Sequence, residues 1–299
     1  MTAIDPDLQY RPILEQACTL AGIDAANATP LRFSENAIYK LSGPIIARVG
    51  RPGQHAAAVR EVQTAQWLES SGLSAVQTIA GIEQPVIVAD RPVTFWQELP
   101  DHRHGTIRQV AIMIRELHHL SPPTSFPLGH IEPFVRLDQR IESAASFDDI
   151  DRAWMRNHLT RLRERWETRT EGLPWCVIHG DAWVGNVVST DDGRTFLLDL
   201  ERTSIGPPEW DLVHAALKHH SFGWGDHSEY QDFCETYGHD VTAWSGFELL
   251  RDIREFRMTC MAVQSSQTNP ADRDQALHRL SCLQGEHGAR PWAGWRPLA

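Results

Sequence analysis

The run Val177-Ile178-His179-Gly180-Asp181-Ala182-Trp183-Val184-Gly185-Asn186-Val187-Val188 passes from one apolar segment through a polar loop into another. The loop carries an imidazole, a carboxylate and an amide. Thirteen residues after Asn186 a further apolar run ends on a carboxylate, in Leu197-Leu198-Asp199-Leu200-Glu201. Phosphoryl transfer asks for this set. One carboxylate orients an attacking hydroxyl and takes its proton; an amide oxygen and a second carboxylate hold Mg²⁺ against the phosphates, because hard oxygen ligands suit that ion. Asp181, Asn186 and Asp199 supply those groups. Asp181 and Asn186 would also suit a loop that caps its own backbone amides, but that account leaves Asp199 unexplained. Glu201 reads equally as support on the metal side or as a solvated side chain.

Such groups need elements to hold them. Pro6 to about Gly22 has helical spacing, with Gly22 suited to the end of the helix. Leu31–Tyr39 and Pro44–Val49 are strand-like runs parted by Ser42-Gly43-Pro44, a strong turn signal. From Gln54 to about Gly72 the helical period returns, with Ala58, Val62, Ala65 and Leu68 on one face. Val86–Ala89 and Val93–Trp96 are again strand-like. The first hundred residues therefore read as a small sheet carrying one inserted helix. Helices are expected over Ile107–Leu120, stopped by Ser121-Pro122-Pro123, and over Ile150 to about Arg169. Short strands are expected at Trp175–Ile178, Asn186–Ser189 and Thr195–Leu198, and helical segments from Pro208 onward. The plan is α+β: a small lobe over residues 1–98, a connector near Gln97–Asp101 and a larger, mainly helical lobe over 99–299. Active sites favour such interlobe clefts.

Composition narrows the chemistry further. The chain has 299 residues, of which 41% are hydrophobic and 22% charged, enough for a proper core and wrong for a disordered, collagenous or coiled-coil chain. Its net charge of −11 argues against nucleic acid as a partner, since phosphate backbones are repelled. Five scattered cysteines show neither a disulfide framework nor a Cys/His metal spacing, and read as reduced thiols in a cytoplasm. No signal peptide and no apolar stretch of about 20 residues is visible, so no membrane partner is expected. Nothing implies an obligate protein partner. Residues 206–240 hold seven carboxylates against one basic residue, Lys218. That run would suit a cationic small molecule or be a solvated helical face. Trp183 and Trp224 could wall a sugar or cationic ring. His118-His119 and His219-His220 invite a metal reading, but adjacent residues on a helix face different ways. Of Arg251, Arg254 and Arg257, one could reach a substrate, and the sequence does not say which.

His179-Gly180-Asp181 with Asn186 resembles the H-G-D-x-x-x-x-N loop of the aminoglycoside phosphotransferase family, within the wider protein-kinase-like fold. Asp199-Leu200-Glu201 is similar to that family's metal motif, Gly206-Pro207-Pro208-Glu209-Trp210-Asp211-Leu212 to the helix start that follows it, and Ser34-Glu35-Asn36-Ala37-Ile38-Tyr39 to its phosphate-side loop. The likeness covers roughly residues 30 to 220. It implies a bilobal fold and an ATP- and Mg²⁺-dependent kinase acting on a hydroxylated small molecule, cationic or neutral: an aminoglycoside-like antibiotic, an amino sugar or a related metabolite. It implies Asp181 as the catalytic base, Asn186 and Asp199 as metal ligands, and His179 as a support of the loop. Ser34 and Asn36 would donate to the phosphates, and the backbone around Gln97 to Leu99 would face the adenine edge. The sequence departs from the pattern in two places. Kinase-like folds put a lysine on the third strand, paired with a glutamate on the next helix; here Arg48 stands on that strand, with Glu61 on the helix, and Lys40 lies one strand too early. No glycine-rich phosphate loop is present. Those departures motivate an alternative, a catalytically weak nucleotide-binding module that senses a ligand.

Overall fold

The computed structural model describes residues 5–33, 36–145, 147–296 and 298. Asp5 accepts the Asp7 N–H and so caps α1 (Pro6–Ala21), which ends on Gly22 in the left-handed conformation. The chain then builds an antiparallel sheet in the order β1-β2-β3-β5-β4: β1 (Thr29–Phe33), β2 (Ala37–Lys40), β3 (Ile45–Val49), β4 (Val86–Val88) and β5 (Arg91–Gln97). The single run expected over Leu31–Tyr39 is two strands. β1 and β2 pair antiparallel, with Phe33 opposite Ala37. Between β3 and β4 runs α2 (His55–Ser70), with Ala58, Val62, Ala65 and Leu68 buried as the spacing predicts. Tyr39, Ala47, Val49, Val93 and Phe95 join Leu14, Ala17 and Cys18 of α1 in the core of this lobe. The sheet is thus closed on one face by α1.

The C-terminal region is helical. α3 (Ile107–His118) starts on a capping box between Thr106 and Gln109. It is followed by α4 (Leu137–Glu142), which the sequence pattern did not reveal, and by α5 (Asp149–Glu167), capped by Asp148. Then come α6 (Glu209–His220), α7 (His227–Tyr237), α8 (Phe247–Ser265) and α9 (Arg273–Gln284). Five short strands lie at the cleft: β6 (His102–His104), β7 (Cys176–Ile178), β8 (Val187–Thr190), β9 (Thr195–Leu197) and β10 (Ser204–Gly206). They form two small antiparallel sheets, β6-β8-β9 and β10-β7. β6 and β10 escape a pattern search because three-residue strands carry almost no period. The loop between β7 and β8 leaves one sheet and enters the other, so both ends of the 179–186 segment are fixed by strand pairing. No helix among the described residues is long and apolar enough to cross a membrane.

Candidate active site

The 179–186 loop has little regular structure of its own, and buried polar groups hold it from beneath. Asp211, at the start of α6, accepts the His179 N–H at 2.7 Å and the Gly180 N–H at 2.9 Å. His118 Nε2 donates to the same carboxylate at 3.1 Å, and Tyr237 lies 2.7 Å from His118 Nδ1. The Gly180 carbonyl accepts from Trp210 Nε1 and from Arg254 Nη2. The His179 ring donates through Nε2 to Leu198 O at 2.8 Å, which leaves Nδ1 to accept the Asp181 N–H at 3.3 Å. This fixes the tautomer and ties the loop to the segment that carries Asp199. Glycine is required at position 180, where φ is +84 and a Cβ would lie 2.5 Å from Arg202 O.

Asp181 emerges from this support one-third exposed. Asn186 donates through Nδ2 to Asp181 O at 2.9 Å and Oδ2 at 3.3 Å, so its own Oδ1 remains an acceptor. Arg254 Nη1 lies 3.7 Å from Asp181 Oδ1. Burial alone would raise the Asp181 carboxyl. The fields of His214, Arg254, Arg202 and His179 outweigh it and hold the group below the ordinary carboxylate range. Burial, with Arg254 nearby, pushes His214 itself down to about 4.

Asp199 sits at φ 54, ψ 65, a left-handed conformation costing a non-glycine residue about 1–2 kcal/mol. Burial, then the neighbouring Glu201 and Asp181, push its carboxyl above the ordinary range, against the pull of His179 and Arg48. Carboxylates crowded in this way beside a free amide oxygen fit a hard divalent cation, which would relieve their repulsion. Asp181, Asn186 and Asp199 are therefore brought to one place, with Glu201 beside them.

On the sheet side, Arg48 of β3 forms an ion pair with buried Glu61 of α2. Burial pulls the Arg48 guanidinium down while Glu201 and Asp199 pull it up, so it faces the acidic cluster. Asn36, Arg48, Glu61 and Glu201 line one narrow cleft. Ser34 lies outside the described residues. Lys40 is on β2 and pairs with Glu98 at the surface, 2.6 Å away. At the connector, the Gln97 N–H donates to Gln77 O and the Glu98 N–H to Pro44 O. Among the described residues the Leu99 N–H has no hydrogen-bond partner. Of the two backbone N–H groups at Gln97 and Leu99, only that of Leu99 is open to a ligand.

Residues 28–250 match the model of the phosphotransferase enzyme family, APH. The chain belongs to that family. No curated protein sequence matches it. Among solved structures the fold is similar to the aminoglycoside phosphotransferase APH(3'')-Id from Streptomyces rimosus, at 18% identity over 85% of this chain and 99% of that one, with a TM-score of 0.62. It is similar to the choline kinase LicA from Streptococcus pneumoniae, at 16% identity over 92% and 99%, with a TM-score of 0.62. The amicoumacin kinase hAmiN, solved with AMP-PNP and Ca²⁺, gives a TM-score of 0.71 at 11% identity over 97% and 98%. The kinase-like α+β fold expected from the sequence is thus shown, and the chain is an enzyme of a phosphotransferase family.

Other residues of this phosphotransferase that attracted attention in the sequence go elsewhere. The acidic run is dispersed. Glu209 accepts the Leu173 N–H, Asp211 anchors the loop, Asp226 caps α7, Asp240 caps the short turn at 241–243, Glu229 faces Lys218 and Asp232 pairs with Arg108. Trp224 donates to Trp295 O in a C-terminal aromatic cluster with Phe222, away from the loop, whereas Trp183 stands on the loop, stacked at 6.5 Å over His214. The five cysteines are free. His278, Cys282 and His287 bring ligand atoms within 4.8 Å of one another, but the two rings are engaged with Ala293 O and the Ser281 hydroxyl. Sequence reasoning missed His214 entirely. It left Arg254 among three arginines of α8, and only packing selects it: Arg251 turns outward to Glu248 and Asp252.

Proposed function

We propose that this enzyme transfers the γ-phosphate of Mg-ATP to a hydroxyl of a small molecule. The observation that carries the reading is the gathering of Asp181, Asn186 and Asp199 at one point, on a loop anchored by Asp211. In this reading Asp181 is the catalytic base. It is held ionised at neutral pH and oriented by Asn186 and Arg254. The acceptor oxygen attacks the γ-phosphorus, the bond from phosphorus to the β–γ bridging oxygen breaks, ADP leaves with that electron pair, and the hydroxyl proton passes to Asp181. Asn186 Oδ1 and Asp199 would hold Mg²⁺, which supplies charge neutralisation at the phosphates.

Residues 1–98 serve the nucleotide and 99–299 carry catalysis and acceptor binding. Arg48, positioned by Glu61, would grip phosphate; arginine binds phosphate oxygens in a bidentate way and stays charged. Asn36 borders the same cleft, Ser34 precedes it in sequence, and Leu99 N–H with the Gln97 carbonyl would meet the adenine edge. The free thiols suit a reducing cytoplasm. The structural neighbours act on aminoglycosides, choline and amicoumacin by their names, a spread that supports the reaction type and leaves the acceptor open.

The test is ATP consumption with Mg²⁺ over a panel of aminoglycosides, amino sugars, choline, hydroxy acids and phosphorylated polyols, with Asp181→Ala as control. A hit lost in the variant supports the reading. Stabilisation by ATP with no turnover of any acceptor favours the binding-module alternative.

A further inference from the structure

A cavity of about 350 Å³ opens beside the catalytic loop, within the size range of small-molecule sites. Gly180 and Glu201 form part of its wall, so it lies one residue from Asp181 along the chain. Its charge is opposite to that of the protein. Four arginines line it, Arg60 from α2, Arg136 ahead of α4, Arg202 after the metal motif and Arg257 from α8, against two carboxylates, Glu132 and Glu201, in a chain of net charge −11.

One of its groups lacks a paired carboxylate and another a hydrogen-bond partner. Arg257 is 8% exposed, and its one hydrogen bond runs from Nη1 to Pro133 O. Among the described residues no carboxylate pairs with it. Burial, with Arg254, Arg202 and Arg140 nearby, pushes Arg257 down to about 9, so positive potential gathers on this wall. Thr203 is 3% exposed and borders the same space, and its hydroxyl has no hydrogen-bond partner. A buried guanidinium without a counter-charge and a buried hydroxyl without a partner are both costly. An oxyanion satisfies both, accepting from the guanidinium and the hydroxyl together. Arg202 has only a 3.9 Å approach to Glu201, and Arg136 is steered by Gln54 at 3.0 Å.

We infer that this cavity binds an oxyanion and, resting on the phosphotransferase reading above, that the oxyanion is a carboxylate or phosphate group of the acceptor. The acceptor is then a hydroxylated anion. A polycation would meet four arginines here, and six of the seven carboxylates of the acidic run are engaged elsewhere.

The experiment uses the full chain saturated with Mg-AMP-PNP and titrates inorganic sulfate, tartrate or spermidine while following the melting temperature. Sulfate and tartrate are expected to stabilise saturably and spermidine not. Arg257→Met should abolish the effect. Arg60→Met, an exposed position that leaves the core untouched, should weaken it about tenfold, the scale of one charged hydrogen bond. Stabilisation by Mg-AMP-PNP itself should persist in both variants. Sulfate binding that is absent, or unchanged in both variants, overturns the inference whatever the nucleotide does. In turnover, an acidic acceptor is expected, with Arg60→Met raising its KM more than it lowers kcat. Hydroxy acids against phosphorylated polyols tell carboxylate from phosphate. Turnover confined to cationic acceptors overturns the inference and leaves the kinase standing; failure of Mg-AMP-PNP to bind overturns the kinase reading and leaves the sulfate result intact.

Discussion

The loop at 179–186 and the Arg48–Glu61 pair both bear on Asp199 but are held by different means. The loop is irregular backbone, so its orientation comes from many buried polar groups acting together: Asp211 beneath two N–H groups, His118 behind Asp211, Trp210 and Arg254 on one carbonyl, His179 across to Leu198. Arg48 and Glu61 stand on a strand and a helix whose own ladders already fix them, and a single ion pair completes the job. Irregular segments need redundant anchors; regular elements carry a functional side chain almost unaided.

This contrast can be broken in several ways. Asp181→Ala removes the group that the loop presents while leaving the anchors in place. It is expected to lower kcat roughly 10²–10⁴-fold with thermal stabilisation by Mg-ATP retained; steady-state kinetics beside a melting curve would show it, and an unchanged kcat takes Asp181 out of the reaction. Asp211→Ala removes the anchor itself. Two N–H groups and a histidine lose their shared acceptor, a loss on the scale of breaking a buried pair, about 3–5 kcal/mol, measurable by urea unfolding. The sign in pH follows. Burial would raise the Asp211 carboxyl, but His118 and the neighbouring charges hold it below its ordinary value. Its contribution is therefore present above that ordinary value and lost as pH falls through the depressed one. Acid unfolding should begin at higher pH in the variant of His118→Ala than in the native chain.

Arg48→Met tests the other side of the comparison. It is expected to raise the KM for ATP roughly ten- to a hundredfold with a smaller loss of stability than Asp211→Ala, because sheet and helix persist without it. Arg254→Met sharpens the account of the loop. Removing a positive charge near Asp181 should move the acid limb of kcat upward by about one pH unit, read from a pH–rate profile; an unmoved limb means Arg254 acts only through the Gly180 carbonyl. Lys40→Ala breaks a surface pair and should cost at most about 1 kcal/mol with no effect on ATP, which would separate Lys40 from the phosphate site.

Much of this was legible in the residues. Helical periods placed α1, α2, α3 and α5, and turn chemistry at Ser42-Gly43-Pro44 placed β3. The spacing of Asp181, Asn186 and Asp199 identified a set that the structure gathers. Arg48 and Glu61, which the family resemblance set against each other, form an ion pair. The strands β6 and β10 and the helix α4 were not legible, because they are too short to show a period. Nor could the carboxylates at 206–240 be told apart. As a list they look like one acidic surface; in the fold they include a buried acceptor, a loop anchor, two caps and two surface pairs.

Residue types and their order carried the local chemistry: which groups could serve phosphoryl transfer, in what order, and on which elements. Those properties depend on residue type and short-range spacing, which a chain carries in one dimension. What surrounds those groups comes from folding alone. Arg254 and Arg257, three residues apart on α8, part company there, one reaching Asp181 and the other lining the cavity with Arg60 from α2. Charges that are distant along the chain act on one another only when folding removes the water between them. Field, burial and missing partners are therefore properties of packing, and the charge of the cavity is the clearest case.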